Sequence, residues 1–248
     1  MLTIHPLVEG TFTIGHNKIF IPFDTATDNL NDRMIGSLLV EVQPFLIIKD
    51  TDYILLDTGL GFHLPNGKLQ IHHNLEKLGI SPNQITKVIL SHLHKDHAGG
   101  ISYITPYGER ALTFPKAQYY IYKPEFDYAM ANTNASYLID EFAFLENTSR
   151  CTFYDEENGE IAPGITHQFS GGHCANHQII KITDGAETLF FAGDEASQLK
   201  QLKIRYIAKY DFDGRRAANL RDAYAKEGKE NGYSFLFYHD VSTPYAKL

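Results

Sequence analysis

The stretch Ser91-His92-Leu93-His94-Lys95-Asp96-His97 constrains this chain more than any other, placing three imidazoles and a carboxylate within six residues. It follows the apolar run Val88-Ile89-Leu90 and precedes Ala98-Gly99-Gly100. The pattern predicts a strand, a tight loop and the start of a helix. His92 and His94 stand one residue apart, so on an extended chain they share a face and reach one metal ion. Asp96 and His97 come after the strand ends and can be aimed at a second ion. Imidazole and carboxylate suit Zn, Mn, Fe or Co. Any one of these histidines alone reads as a surface residue. The whole string, placed after a strand, reads as a metal loop. Four candidate ligands are too many for one ion with an open position and too few for two, so more ligands must lie downstream.

Three downstream sites qualify: His173, in Ser170-Gly171-Gly172-His173; Asp194, after Leu189-Phe190-Phe191-Ala192-Gly193; and His239, after Phe235-Leu236-Phe237-Tyr238. Each puts a ligand-type side chain at the C-terminal end of an apolar strand. Four such strand ends are what a rigid sheet needs to hold a site along its edge. Seven candidate ligands then serve two ions and leave positions for water and substrate.

The rest of the chain mixes strands and helices, which favours one α/β domain over residues 1–248. Strands are expected at Leu7-Val8, Phe12–Ile14, Lys18–Ile21, two in Ser37–Lys49 split by Pro44, Tyr53–Gly59, Thr86–Leu90, Gln118–Tyr122, Cys151–Tyr154, Ile165–Phe169 and Ser234–Tyr238. Gln178–Ile182 and Thr188–Phe191 read as a hairpin about Asp184-Gly185. Helices are expected at 69–79, Glu125–Met130, 132–150, Ala196–Tyr206 and Arg215–Lys226. Residues 23–34 read as a polar loop, and His72 and His73 as surface residues of the 69–79 helix.

A formal charge of −8 argues against nucleic acid or an anionic membrane as the main partner. No apolar run approaches the ~18 residues of a membrane span. Cys151 and Cys174 form no C-x-x-C pair, so free thiols are expected. A soluble cytoplasmic protein acting on a small molecule is the expectation; the oligomeric state is left open.

Together, His92, His94, Asp96, His97, His173, Asp194 and His239 resemble the metallo-β-lactamase superfamily of metal-dependent hydrolases. The resemblance covers nearly the whole chain, including Asp57-Thr58-Gly59. It implies an αββα sandwich, two mixed β-sheets between helices, with the site at one edge. It also implies two divalent ions, zinc first and Mn, Fe or Co as alternatives. His92, His94 and His173 would hold one ion, and Asp96, His97 and His239 the other. Asp194 would bridge them, and Asp57 would orient a ligand histidine. Asp96 would be the catalytic carboxylate, orienting the attacking water or receiving its proton. His177 would lie near the site without ligating, and Cys174 would be a packed thiol.

Length and layout are most similar to the N-acyl-homoserine lactonase-like members, which implies a small ester or lactone substrate. Phosphodiester or phosphotriester hydrolysis, a mononuclear iron persulfide dioxygenase and a non-catalytic metal-binding protein are the alternatives. One departure is Ser197, where many of these lactonases carry a tyrosine; Tyr206, Tyr210 and Tyr238 are candidates to stand in for it. Lys95 is expected to be solvated or salt-bridged. Loops 20–34 and 132–150 would shape the substrate pocket.

Overall fold

A computed structural model describes residues 2–248. Two six-stranded sheets dominate it. The first runs Thr3–Pro6, Phe45–Lys49, Asp52–Leu56, Lys87–Ile89, Gln118–Tyr122, Cys151–Tyr154 across its width. Its first two pairings are antiparallel and the last three parallel. The second runs Asn158–Ala162, Ile165–Phe169, Gln178–Asp184, Glu187–Phe191, Ser234–Leu236, Tyr245–Lys247, all antiparallel except Glu187–Phe191 with Ser234–Leu236.

Residue parity explains the layering. Successive strand side chains point to opposite faces. Phe45, Ile47, Ile54, Leu56 and Ile89 of the first sheet therefore meet Ile180, Ile182, Leu189, Phe191 and Leu236 of the second in one buried cluster. Their neighbours Leu46, Leu55, Val88 and Tyr119 face outward instead. They pack on Ile71 and Leu75 of helix Gln70–Lys77 and on Phe126 and Ala129 of helix Lys123–Ala131. On the far side, Ile179, Phe190 and Phe235 pack on Tyr224 and Ala225 of helix Gly214–Asn231. Both faces of both sheets are thus apolar, and the result is the expected αββα sandwich. No helix among the described residues is long and apolar enough to cross a membrane.

Pro44 separates two strands that join different sheets. Leu38–Val42 pairs in a small three-stranded sheet with Gly10–Ile14 and Phe20–Pro22, whereas Phe45–Lys49 enters the first large sheet. The hairpin about Asp184-Gly185 forms as expected, with Ile182 opposite Leu189.

Several expectations are corrected. Residues 132–150 hold only the 3-10 turns Ile139–Glu141 and Ala143–Asn147. Asn134 Oδ1 accepts from the Ser136 and Tyr137 N–H groups, a local alternative to helical hydrogen bonding. Ala196–Tyr206 likewise breaks into the 3-10 turns Gly193–Ala196 and Leu199–Leu202, because Gln198 between them is extended. The first strand is Thr3–Pro6 rather than Leu7-Val8, and Asn158–Ala162, Ser102–Ile104, Arg110–Leu112 and Tyr245–Lys247 are strands that periodicity did not reveal. His72 is half-buried between Tyr103 and Phe114, its Nε2 3.0 Å from the Thr113 carbonyl.

Two loops meet backbone to backbone under the metal motif. The Thr58 N–H and hydroxyl both donate to the His97 carbonyl, at 2.7 and 2.9 Å. A Cβ on Gly100 would stand 2.1 Å from the Thr58 carbonyl oxygen. Gly100→Ala is therefore expected to destabilise the fold by about 1–3 kcal/mol through overpacking against main chain that cannot swing aside. Urea unfolding reads this, and an unchanged midpoint would contradict the close approach.

Candidate metal centre

Strand ends build the site. The motif forms as expected: strand Lys87–Ile89, a loop through His94, then the short helix Lys95–Ala98 carrying Asp96 and His97. His173 follows strand Ile165–Phe169, Asp194 follows Glu187–Phe191 and His239 follows Ser234–Leu236. All seven side chains converge at one edge of the sandwich.

They fall into overlapping groups whose ligand atoms lie within 4.8 Å of one another: His92, His94 and His173; Asp96, His97 and His239; and His92, His97 and Asp194. In the first group His94 Nδ1 stands 3.0 Å from His92 Nε2 and 3.2 Å from His173 Nε2. In the second, Asp96 Oδ2 lies 3.7 Å from His97 Nε2 and 3.4 Å from His239 Nε2. Asp194 faces both. Its Oδ2 is 3.2 Å from His173 Nε2, and its Oδ1 is 3.3 and 3.0 Å from His97 and His239 Nε2.

In four of the five histidines the inward nitrogen is fixed by a partner on the outward one. The Ser91 hydroxyl donates to Asp57 Oδ2 at 2.7 Å, so its oxygen accepts from His92 Nδ1 at 3.0 Å. His97 Nδ1 donates to Asp57 at 2.7 Å, the role the resemblance implied for that carboxylate. His239 Nδ1 donates to the Glu41 carbonyl at 2.6 Å. His173 Nδ1 donates to Asp211 Oδ1 at 3.2 Å, and Asp211 Oδ2 accepts from Arg221 at 2.6 Å. These partners leave the four Nε2 lone pairs aimed into the site, as metal-ligating histidines require. Asp211 and Arg221 were missed in the sequence. Asp211 lies 38 residues from His173 in a segment without periodicity, and Arg221 sits in the expected Arg215–Lys226 helix with no local signal to mark it as a partner of the site.

The electrostatics are split. Burial and the neighbouring His173 push His94 down to about 3, and burial with the surrounding imidazoles drives His92 well below its ordinary value. Both are therefore neutral and able to ligate. Burial also opposes charge on His97, but Asp194, Asp96 and Asp57 outweigh it and lift that imidazole to about 10. Asp96 is buried yet held down at about 2, chiefly by His97 and His239. Burial likewise opposes charge on His239 and His173, but Asp194 leads the carboxylates that raise both. Protons on these imidazoles thus offset a cluster of carboxylates, a task a divalent cation performs with release of those protons.

The chemistry of the donor set fits divalent ions. His97 Nε2 and Asp194 Oδ1 are buried and make no hydrogen bond although they lie 3.3 Å apart. Buried polar atoms without partners are uncommon, and a cation between them would satisfy both.

His177 does not join the groups. Its Nε2 accepts from the Asp194 N–H at 3.2 Å and its Nδ1 lies 2.7 Å from Ser170 Oγ, so it braces the Asp194 turn. Cys174 is a buried thiol. The Ser197 carbonyl accepts from the His239 N–H at 2.9 Å. Of the three tyrosines considered as stand-ins, Tyr238 is committed: its hydroxyl donates to the Asp96 carbonyl at 2.6 Å and its ring stacks 4.0 Å from His97. Tyr206 lies 4.7 Å from the Arg221 guanidinium. Tyr210 is partly exposed, with its ring 6.3 Å from that of His173. Lys95 is half-buried, with Nζ 5.8 Å from the ring of Phe20 in strand Phe20–Pro22.

Comparison with known proteins identifies the family and the fold. A family model described as the metallo-beta-lactamase superfamily matches residues 40–230. An N-acyl homoserine lactonase, AiiB, of Agrobacterium fabrum is 31% identical over 189 residues, covering 68% of this chain and 65% of the relative. A second such lactonase, of Rhizobium rhizogenes, is 29% identical over the same shares. The chain's match therefore spans just under two thirds of the length of these curated relatives. Among solved structures, a probable metal-dependent hydrolase from Staphylococcus aureus superposes with TM-score 0.82 at 21% identity, over 99% of this chain and 92% of that one. The dizinc quorum-quenching lactonase AidC superposes with TM-score 0.71 at 20% identity, over 99% and 90%. At those identities the superpositions bear on the fold alone.

Proposed function

The chain belongs to the metallo-β-lactamase superfamily, and on that premise we propose that it is a metal-dependent hydrolase of small esters or lactones working with two divalent ions. His92, His94 and His173 would hold one ion and Asp96, His97 and His239 the other. The observation that carries this reading is Asp194, whose two carboxylate oxygens face different groups, Oδ2 toward His173 and Oδ1 toward His97 and His239. A single shared carboxylate between two imidazole-rich groups is what a two-ion centre needs. When bound, such ions supply a water nucleophile at neutral pH and Lewis-acid stabilisation of a developing oxyanion, with zinc suited to both the donor set and the task.

The protein's own groups then have separate work. Asp96 lies at the edge of the second group with part of its carboxylate open to solvent. It orients the attacking water and takes its proton. The pull of His97 and His239 holds Asp96 low and keeps it ionised at neutral pH. Asp57, Asp211 and the Glu41 carbonyl hold three imidazoles in the tautomer that presents Nε2. Tyr210, whose ring lies 6.3 Å from that of His173, remains a candidate phenol for the substrate carbonyl, although its hydroxyl shares a hydrogen bond with Tyr206. No side-chain nucleophile is required.

The lactonase relatives support a lactone over a phosphoester. The test is a panel of aliphatic lactones, simple esters, phosphodiesters and phosphotriesters, assayed after reconstitution with zinc, manganese, iron or cobalt. Lactone or ester turnover is expected to exceed phosphoester turnover in kcat/KM by at least an order of magnitude. Phosphoester turnover with inert lactones would overturn the substrate assignment. Oxygen uptake with a persulfide, or no hydrolysis under any metal, would overturn the hydrolase reading itself.

A further inference from the structure

Helix Lys123–Ala131 lies on the outer face of the first sheet, where Phe126 and Ala129 enter the core. Its first turn also buries Glu125, which is 1% exposed. An apolar residue would suit that depth better, because burying a carboxyl is costly unless it is hydrogen-bonded and, when charged, paired. The partners of Glu125 are one backbone N–H, one phenol and one thiol, none of them a cation. Its Oε1 accepts from the Leu93 N–H at 3.0 Å and from the Tyr137 hydroxyl at 3.1 Å. Both carboxyl oxygens lie 3.7 Å from Cys174 Sγ.

Those partners are not scattered. Leu93 stands between His92 and His94, and Cys174 follows His173. One carboxyl therefore touches both loops that deliver the three imidazoles of the first group. Tyr137 extends the contact: its ring lies 4.8 Å from that of His94, and the adjacent Ser136 carbonyl accepts from the Lys95 N–H at 2.8 Å. His94 turns Nδ1 inward, unlike the other four histidines, and its support comes from this side. The second group is braced elsewhere, by Asp57 on His97, the Glu41 carbonyl on His239 and Tyr238 on the Asp96 carbonyl.

We infer that Glu125, assisted by Tyr137, is a positioning residue that sets the spacing of the His92–His94 loop against the His173 loop, and so governs how tightly the first of the two ions is held. The inference rests on the two-ion reading above. Glu125 touches neither substrate nor ligand atoms; it acts through Leu93, Tyr137 and Cys174. Partners of this kind are worth roughly 10–100-fold in metal affinity.

The test is a cobalt(II) titration of wild-type, Glu125→Ala, Glu125→Gln and Tyr137→Phe proteins, followed by visible absorption and by the rate of metal loss to a chelator. The wild type is expected to take up two equivalents. Glu125→Ala should hold one of them about 10–100-fold more weakly, with an altered spectrum for that equivalent, and keep the other. Glu125→Gln, whose amide oxygen still accepts from Leu93 and Tyr137, should restore the affinity to within a few-fold. Tyr137→Phe should weaken the same equivalent by less. A general loss of folding would weaken both equivalents together and would not be rescued by glutamine. Should Glu125→Ala fail to fold, Tyr137→Phe decides between these outcomes. Two equivalents held with wild-type affinity and spectrum in Glu125→Ala, or in Tyr137→Phe if that variant must decide, would overturn this inference alone. A wild type that binds fewer than two would overturn the two-ion reading and this inference with it.

Discussion

Asp194→Ala is expected to lower kcat/KM on the order of 10³-fold or more and to strip the protein of at least one metal equivalent. The size follows from what the carboxylate faces. Its two oxygens reach His173 on one side and His97 and His239 on the other, all within 3.3 Å. Without it each set keeps three protein donors but nothing holds the two at a fixed separation. Lewis-acid stabilisation is worth several kcal/mol, and about 4 kcal/mol is a factor of 10³ in rate. His94→Ala should behave alike at the first set, since its Nδ1 sits between His92 and His173. Steady-state kinetics with elemental analysis of the same preparations checks both variants, with circular dichroism to show that they fold. Full activity and full metal content in either would refute the assignment.

Asp57 carries the second large effect, and there the first casualty is stability. The residue is fully buried and sits at a positive φ of 58°. One carboxylate accepts from the Ser91 N–H, the Ser91 hydroxyl and His97 Nδ1, each at 2.7 Å. Asp57→Ala leaves a buried imidazole and a backbone N–H without partners and puts alanine in a left-handed conformation it resists. A cost of about 3–5 kcal/mol is expected, as for breaking a buried charged pair. At about 2–4 °C per kcal/mol for a chain of this size, the melting temperature should fall by roughly 6–20 °C. Asp57→Asn separates stability from orientation. Asparagine tolerates the left-handed backbone and keeps one acceptor, so it should melt closer to wild type. It should still lose about 10–100-fold in activity, because His97 is no longer held by a carboxylate. A Tm for Asp57→Ala within about 2 °C of wild type, well below the expected range, would contradict this picture of Asp57.

The pattern of what was legible in the sequence follows the reach of local chemistry. His92, His94, Asp96 and His97 announce themselves because strand and loop geometry act over a few residues. His173, Asp194 and His239 follow because each ends an apolar strand. The αββα layering was implied by the motif and is explained by the parity of residues such as Leu55 between Ile54 and Leu56. What stayed hidden depends on distant backbone. Asp211 supports His173 from 38 residues away, and Glu125 reaches Cys174 from 49. The segment Ala196–Tyr206 has helical spacing, yet its backbone braces the His239 turn: the Ser197 carbonyl takes the His239 N–H, and the Leu199 N–H donates to Asp240. Residues 132–150 failed as a helix because Asn132 and Asn134 offer the backbone local hydrogen bonds that compete with it. Both failures lie beside the site, where tertiary demands override propensity.

The central claim is that the seven side chains form one centre for two ions with Asp194 between them. Anomalous scattering from crystals of the zinc-reconstituted protein tests it most directly. The account predicts two peaks at the sheet edge about 3.5–4 Å apart, the spacing usual for such pairs. One should be bound by His92, His94 and His173 and the other by Asp96, His97 and His239, with Asp194 contacting both. A single peak, or two peaks of which Asp194 touches only one, would contradict it.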